Sequence, residues 1–286
     1  MGYPVFYISS RGSSATAWIA KVLSMHPDIV CFHGTRSIPP YESGTVPDMT
    51  PEDFVKGLRQ CSIATGDQKM FGAVHGFYGT LLKRSVESEG GRFGAVLRHP
   101  IRRIHSNFVL SYGAEICGKD VSDVDVYRVI KDKRLDVVDV LVNDSVVNLS
   151  PVEKAFYHYC KSFMYFGLDC IRECNDDAVW RMEDITSCKE SFRRMFCYIT
   201  GDLVEYTGHY ESMVFSVGKI NKHVADESFM NIFDAWPDAF KFLFRQAIVE
   251  LGGEQVIDTY MRFGYDLPDI LAMEFIARGG RIILDG

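Results

Sequence analysis

No CxxC pair occurs among the eight cysteines, which fall at 31, 61, 117, 160, 170, 174, 188 and 197. That spacing argues against a zinc cluster and, with several cysteines inside apolar stretches, predicts reduced, buried thiols in a cytoplasmic protein. Basic residues are in deficit, 31 Lys and Arg against 38 Asp and Glu for a formal charge of -7, which argues against a general nucleic-acid binder. A local anion pocket stays open, because a few well-placed basic groups outweigh net charge there. No apolar run reaches the ~18 residues that span a bilayer. The first such run, Val5-Phe6-Tyr7-Ile8, is cut short by Arg11, so neither a membrane partner nor a secretory signal is expected. Internal repeats and low-complexity tracts are absent as well.

What is present suits one α/β domain over residues 1–286, since 47% of the residues are hydrophobic and can fill a sizeable core. Short apolar runs at Val5–Ser9, Ile29–Phe32, Met70–His75, Phe93–Arg98 and Ala178–Met182 read as buried parallel strands. Helical patterns or long loops separate them, the βαβ arrangement of a parallel sheet. Helices are predicted over Ala15–Met25, Ile101–Tyr112, Val152–Arg172, Ser187–Ile199 and Pro237–Leu251. The fourth is expected to open on a capping box built from Thr186-Ser187 and Glu190. Residues 34–68, with four prolines, and 114–150, rich in aspartate, read as irregular lid or substrate segments.

The stretch Tyr7-Ile-Ser-Ser-Arg-Gly-Ser-Ser-Ala-Thr-Ala-Trp18 runs from an apolar strand through small residues into an amphipathic helix. Such a junction aims backbone N–H groups and the positive end of a helix at one point, where phosphate or sulfate belongs. Ser13, Ser14 and Thr16 add hydroxyl donors there and Arg11 adds charge. The Walker A pattern and its lysine are missing. An ordinary helix-capping turn explains this stretch alone equally well.

A second junction follows at Gly94-Ala-Val-Leu-Arg98-His-Pro100-Ile-Arg-Arg-Ile-His-Ser106. Pro100 suits a first helical turn, Arg98 stands at the sheet's functional edge, and Ser106 lies about two turns along the helix. An arginine fork with a hydroxyl suits a terminal phosphate.

Arg-x-Pro followed by this serine resembles the 3'-phosphate motif of the sulfotransferases that use 3'-phosphoadenosine-5'-phosphosulfate (PAPS). The resemblance implies a P-loop-NTPase-like central parallel sheet flanked by helices, the sulfotransferase fold. It implies transfer of a sulfuryl group from PAPS to a small-molecule acceptor, release of 3'-phosphoadenosine-5'-phosphate (PAP), and no metal. The first stretch is similar to the family's 5'-phosphosulfate loop, Lys-x-Gly-Thr-x-Trp. That alignment places Ser13, Ser14, Ala15, Thr16, Ala17 and Trp18 on the loop, with Thr16 on the 5'-phosphate and Trp18 near the adenine, and Arg11 and Gly12 just before it are further candidates for the nucleotide. Trp180-Arg-Met-Glu-Asp-Ile185 is similar to Arg-Tyr-Glu-Asp-Leu, and Phe263-Gly-Tyr-Asp-Leu267 to a Leu-Gly-Tyr ending. Lys219, Asn221 and Lys222 stand where a late basic loop closes over the nucleotide in the family.

The loop lysine of many members is Ser13 here, so the resemblance leaves its charge to Arg11, Lys219 or Lys222. Ala15 stands in place of a glycine, and a backbone conformation that alanine tolerates is expected there. Two histidines compete for the general base that an acceptor hydroxyl or amine requires. His75 ends the third strand 23 residues before Arg98, a spacing similar to that in cytosolic members; His33 stands where glycan-type members carry a glutamate. His26, His99 and His105 read as structural, and Glu183-Asp184 as a pair that caps the next helix. Phe77, Tyr78 and Tyr112 are candidate aromatic walls for the acceptor. Asp123 and Asp125, in the acidic segment, would favour a cationic or amine-bearing one. A non-catalytic PAP-binding homologue and a P-loop-type phosphotransferase are the competing readings, and both monomer and homodimer stay open.

Overall fold

The computed structural model describes residues 3–10, 15–34, 50–66, 68–74, 79–112, 149, 151–172, 174–218 and 228–267. They fall into two compact units, Met1–Arg98 with Asp169–Lys222 and His99–Leu168 with His223–Gly286.

The first unit holds a five-stranded sheet, wholly parallel, in the order β2-β3-β1-β4-β5. Its strands are β1 Phe6–Ser9, β2 Ile29–His33, β3 Met70–Val74, β4 Arg92–Leu97 and β5 Val179–Arg181. Each is a short apolar run without the polar alternation of a half-exposed sheet, because helices cover both faces. Phe6 and Ile8 of β1 face a core with Trp18, Ile19, Val22 and Leu23 of α1 (Thr16–Ser24). Val5 and Tyr7 face the other way, onto Phe54 and Leu58 of α2 (Pro51–Ala64) and onto Leu82 and Val86 of α3 (Gly79–Ser88). Glycine matters at two sheet positions: a Cβ at Gly72 would strike the Phe6 ring, and one at Gly94 the Trp180 ring.

The helix α2 lies within the segment expected to be irregular. Thr50 caps it, its hydroxyl accepting from the Asp53 amide at 3.1 Å, and Pro51 opens the first turn. The capping box expected near residue 187 is replaced by two helices. The Ser187 hydroxyl donates back to the Glu183 carbonyl at 2.7 Å within α6 (Met182–Ser187), and Cys188 becomes the N-cap of α7 (Lys189–Thr200). Glu183 and Asp184 therefore sit inside the first turn of α6 rather than capping a helix. The unit continues through α8 (Gly208–Ser216).

The second unit is helical. It contains α4 (Pro100–Tyr112), most of α5 (Pro151–Ile171), α9 (Phe229–Asp234), α10 (Asp238–Glu250) and α11 (Glu254–Arg262). Its core is aromatic: Phe156 stacks on Phe240 at 4.0 Å between centroids and meets Phe108 edge-on at 5.4 Å. Among the described residues no helix is long and apolar enough to cross a membrane.

Candidate functional site

Because all five strands are parallel, their carboxyl ends share one edge of the sheet. In register, His33 of β2 pairs with Val74 of β3, Val74 with Ile8 of β1, and Leu97 of β4 with Arg181 of β5. The connection leaving β1 enters α1 on one face, and that leaving β3 enters α3 on the other. Strand order thus reverses between β1 and β3, and the crevice beyond their carboxyl ends is where open α/β sheets bind ligands.

At that crevice β1 hands the chain to α1. Ser9 and Ser10 are both buried, and the Ser10 hydroxyl meets no hydrogen-bond partner among the described residues. Ala15 takes φ 56° and ψ 22°, the left-handed region that favours glycine, rather than a conformation alanine accepts freely. Ala15, the N-cap of α1, makes no side-chain cap bond, and the first backbone bond runs from the Ile19 amide to the Ala15 carbonyl at 2.9 Å. The amides of Thr16, Ala17 and Trp18 precede that first bond and meet no partner among the described residues, at the positive end of the helix.

The Thr16 hydroxyl, on a buried side chain, shares a hydrogen bond of 3.0 Å with Nε2 of His33. The two are 17 residues apart, and β3 lies between the strand before Thr16 and the strand that ends in His33. Solvent reaches His33, yet partial burial of its imidazole lowers its pKa, so the ring is neutral at neutral pH. Trp18 is a core residue: its ring meets Phe192 edge-on at 5.8 Å and its N–H donates to the Val217 carbonyl at 3.3 Å. That bond fastens the start of α1 just ahead of the segment carrying Lys219, Asn221 and Lys222.

Arg98 follows β4 directly and is half-buried; Ser106 is buried in α4, in the other unit. Tyr112 is the last residue of α4. Arg11, Gly12, Ser13, Ser14, His75, Phe77, Tyr78, Asp123, Asp125, Lys219, Asn221 and Lys222 lie outside the described residues.

The three histidines expected to be structural are engaged within their own units. His26 donates from Nε2 to the Glu205 carbonyl at 3.0 Å and accepts the Asp28 amide on Nδ1 at 3.2 Å. His99 donates to the Asp266 carbonyl at 3.1 Å and stacks on Phe229 at 4.1 Å. His105 accepts the Trp236 N–H at 3.2 Å. Among the described residues no group of three or more His, Cys, Asp or Glu could hold a metal ion. Sequence reasoning passed over Ser10, since only the packing reveals that its hydroxyl is enclosed.

The sequence matches no protein-family model and no curated protein. The solved structures give a different result. Mouse sulfotransferase SULT7A1, in a structure complexed with PAP, superposes with a TM-score of 0.50 at 13% identity, over 91% of this chain and 89% of that one. The chain has the sulfotransferase fold. A sulfotransferase from Alicyclobacillus acidocaldarius also superposes, at 14% identity over 95% of this chain and 100% of that one, but its TM-score of 0.42 adds no weight. Within this fold the crevice between β1 and β3 is the place to look for chemistry.

Proposed function

We propose that this protein is a cytoplasmic PAPS-dependent sulfotransferase acting on a hydroxyl or amine of a small molecule. The observation that carries the reading is the Thr16–His33 hydrogen bond of 3.0 Å at the uncapped start of α1. The bond brings a hydroxyl and an imidazole together beside the first amides of α1, at the sheet's ligand edge. Groups of this kind suit the 5'-phosphosulfate of PAPS.

In this proposal Thr16 and the amides of Ala15–Trp18 hold the 5'-phosphate, while Arg98 and Ser106 hold the 3'-phosphate. Lys219, Asn221 and Lys222 close over the nucleotide. Arg11 or one of those lysines supplies the charge that Ser13 lacks. The acceptor oxygen or nitrogen attacks sulfur in line as the bond from sulfur to the 5'-phosphate oxygen breaks. The electron pair of that bond leaves with PAP, and a histidine takes the acceptor's proton. His33, neutral and hydrogen-bonded to Thr16, is one candidate base, and His75, just after β3, is the other. Replacing the true base by glutamine slows transfer by roughly 10²–10⁴-fold and leaves PAP affinity nearly unchanged. Phe77, Tyr78 and Tyr112 would wall the acceptor, and Asp123 and Asp125 would favour a cationic one. Ser13 in place of lysine favours the second reading, a PAP-binding protein without transfer.

Calorimetry with PAP tests the reading. Micromolar binding that Arg98→Ala weakens by roughly tenfold or more is expected, the order of one arginine–phosphate contact. Absence of binding to the wild type would overturn the assignment of the nucleotide. Tight PAP binding with no sulfuryl transfer across a panel of hydroxyl and amine acceptors would establish the second reading instead.

A further inference from the structure

Ser10 is buried, only 1% exposed, and its hydroxyl has no hydrogen-bond partner among the described residues. A hydroxyl enclosed in this way loses its water contacts without compensation, a cost that native proteins rarely leave standing outside functional sites. Its position gives the reason. Ser10 is the first residue past β1, the central strand, at the edge where strand order reverses. Side chains alternate along β1, with Phe6 and Ile8 packed on the α1 face and Val5 and Tyr7 on the opposite one. The same alternation, carried one residue beyond Ser9, turns Ser10 toward the α1 face. On that face the first turn of α1 has no side-chain cap among the described residues. Its first amides and a buried hydroxyl, both without partners among those residues, therefore lie at one end of one strand.

We propose that Ser10 is a further anion ligand of this site, donating its O–H to an oxygen of the 5'-phosphate held at the start of α1. The inference rests on the nucleotide assignment above and adds a residue that the sulfotransferase-like motifs, which begin at Arg11, do not contain. The Ser10 hydroxyl has little to do in the ligand-free protein. It stands ready for an acceptor that arrives from outside, and a phosphate oxygen is a strong one. A serine kept for folding would behave in the opposite way, because its hydroxyl would already be satisfied by protein.

Two measurements on Ser10→Ala separate these roles. The ligand-free variant should melt at the wild-type temperature or above it, since an unsatisfied hydroxyl has been removed. Its affinity for PAP by calorimetry should fall by roughly tenfold, about 1.4 kcal/mol. Ser10→Thr, which keeps the hydroxyl, should bind PAP within about threefold of wild type. Ser10→Gly, a second variant without the hydroxyl, should lose affinity as alanine does. If wild type binds PAP and both hydroxyl-less variants bind it equally well, Ser10 is no ligand, while the nucleotide assignment survives. A melting temperature lowered in Ser10→Ala would make the residue a structural one and overturn the inference by itself. If wild type fails to bind PAP, the nucleotide assignment falls and this proposal falls with it.

Discussion

Replacing Lys161 with methionine strands a charge inside the second unit. The Lys161 side chain, 5% exposed in α5, places its ammonium 2.5 Å from one carboxylate oxygen of Glu250, whose side chain is 17% exposed at the end of α10. The other Glu250 oxygen accepts from Gln246 at 3.1 Å, and the ammonium lies 5.4 Å from the Tyr157 ring centroid. Burial, with the nearby Glu250 carboxylate adding to it, pushes the Tyr157 phenol well above its ordinary pKa, so it stays protonated. Methionine nearly conserves volume, so little of the cost is cavity. Breaking a buried pair from one side costs about 3–5 kcal/mol, and a lost cation–π contact about 0.5–1 kcal/mol within that. Gln246 continues to serve the carboxylate, which points to the lower end, about 3 kcal/mol. Protonation is the stranded carboxylate's relief. The variant's deficit against wild type should therefore shrink as pH falls into the carboxylate range and widen as pH rises out of it. Urea denaturation at pH 7.5 and near pH 4.5, followed by the fluorescence of Trp236 with the other two tryptophans replaced, measures both. Lys161→Met/Glu250→Gln should recover more than half of the loss. A single-variant cost under about 1 kcal/mol, or a double variant no more stable than the single, would refute the reasoning.

Two further outcomes are expected. Ala15→Gly should stabilise the chain by about 0.5 kcal/mol, the relief of a left-handed alanine less the added freedom of unfolded glycine. Ala15→Val should cost about 1–2 kcal/mol, and equal melting temperatures for all three residues would mean that the backbone there is not held left-handed. Hydrogen bonds from the Ser191 hydroxyl and amide lower the pKa of Cys188 at the start of α7, whereas burial raises Cys31 and Cys160. Iodoacetamide at pH 7.5 should thus label Cys188 well before those two, with Ser191→Ala slowing the reaction; mass spectrometry of native protein reads the order.

The strands were readable because each is a brief apolar run, and the two junctions were readable because Arg98-His-Pro100 and the serine-rich stretch before Thr16 are local in the chain. The helix α2 was hidden by the prolines around it, although Thr50-Pro51-Glu52-Asp53 is itself a helix start. Ser187 misled because a hydroxyl between two helices can cap the second or bond back into the first, and packing of α6 against β5 settles which. The Thr16–His33 pair was beyond reach of any local pattern. It depends on β3 entering the sheet between β2 and β1, a fact about strand order that spacing along the chain does not encode. Ser10 was hidden for another reason: a serine at a strand end looks solvated until its surroundings are known.

The central place of β1 also sets a timetable for synthesis. Phe6 is made well before its sheet partners, Gly72 on one side and Arg92 on the other. At roughly 5–20 residues per second, the ribosome takes several seconds to deliver the first partner. Until then an apolar segment destined for the middle of a sheet has nothing to pair with. The crevice at the carboxyl edge of the sheet is therefore assembled late, from pieces separated by long stretches of chain, and such non-local pairing makes folding slow. During that interval the segment that later borders the crevice is the one a chaperone would find exposed.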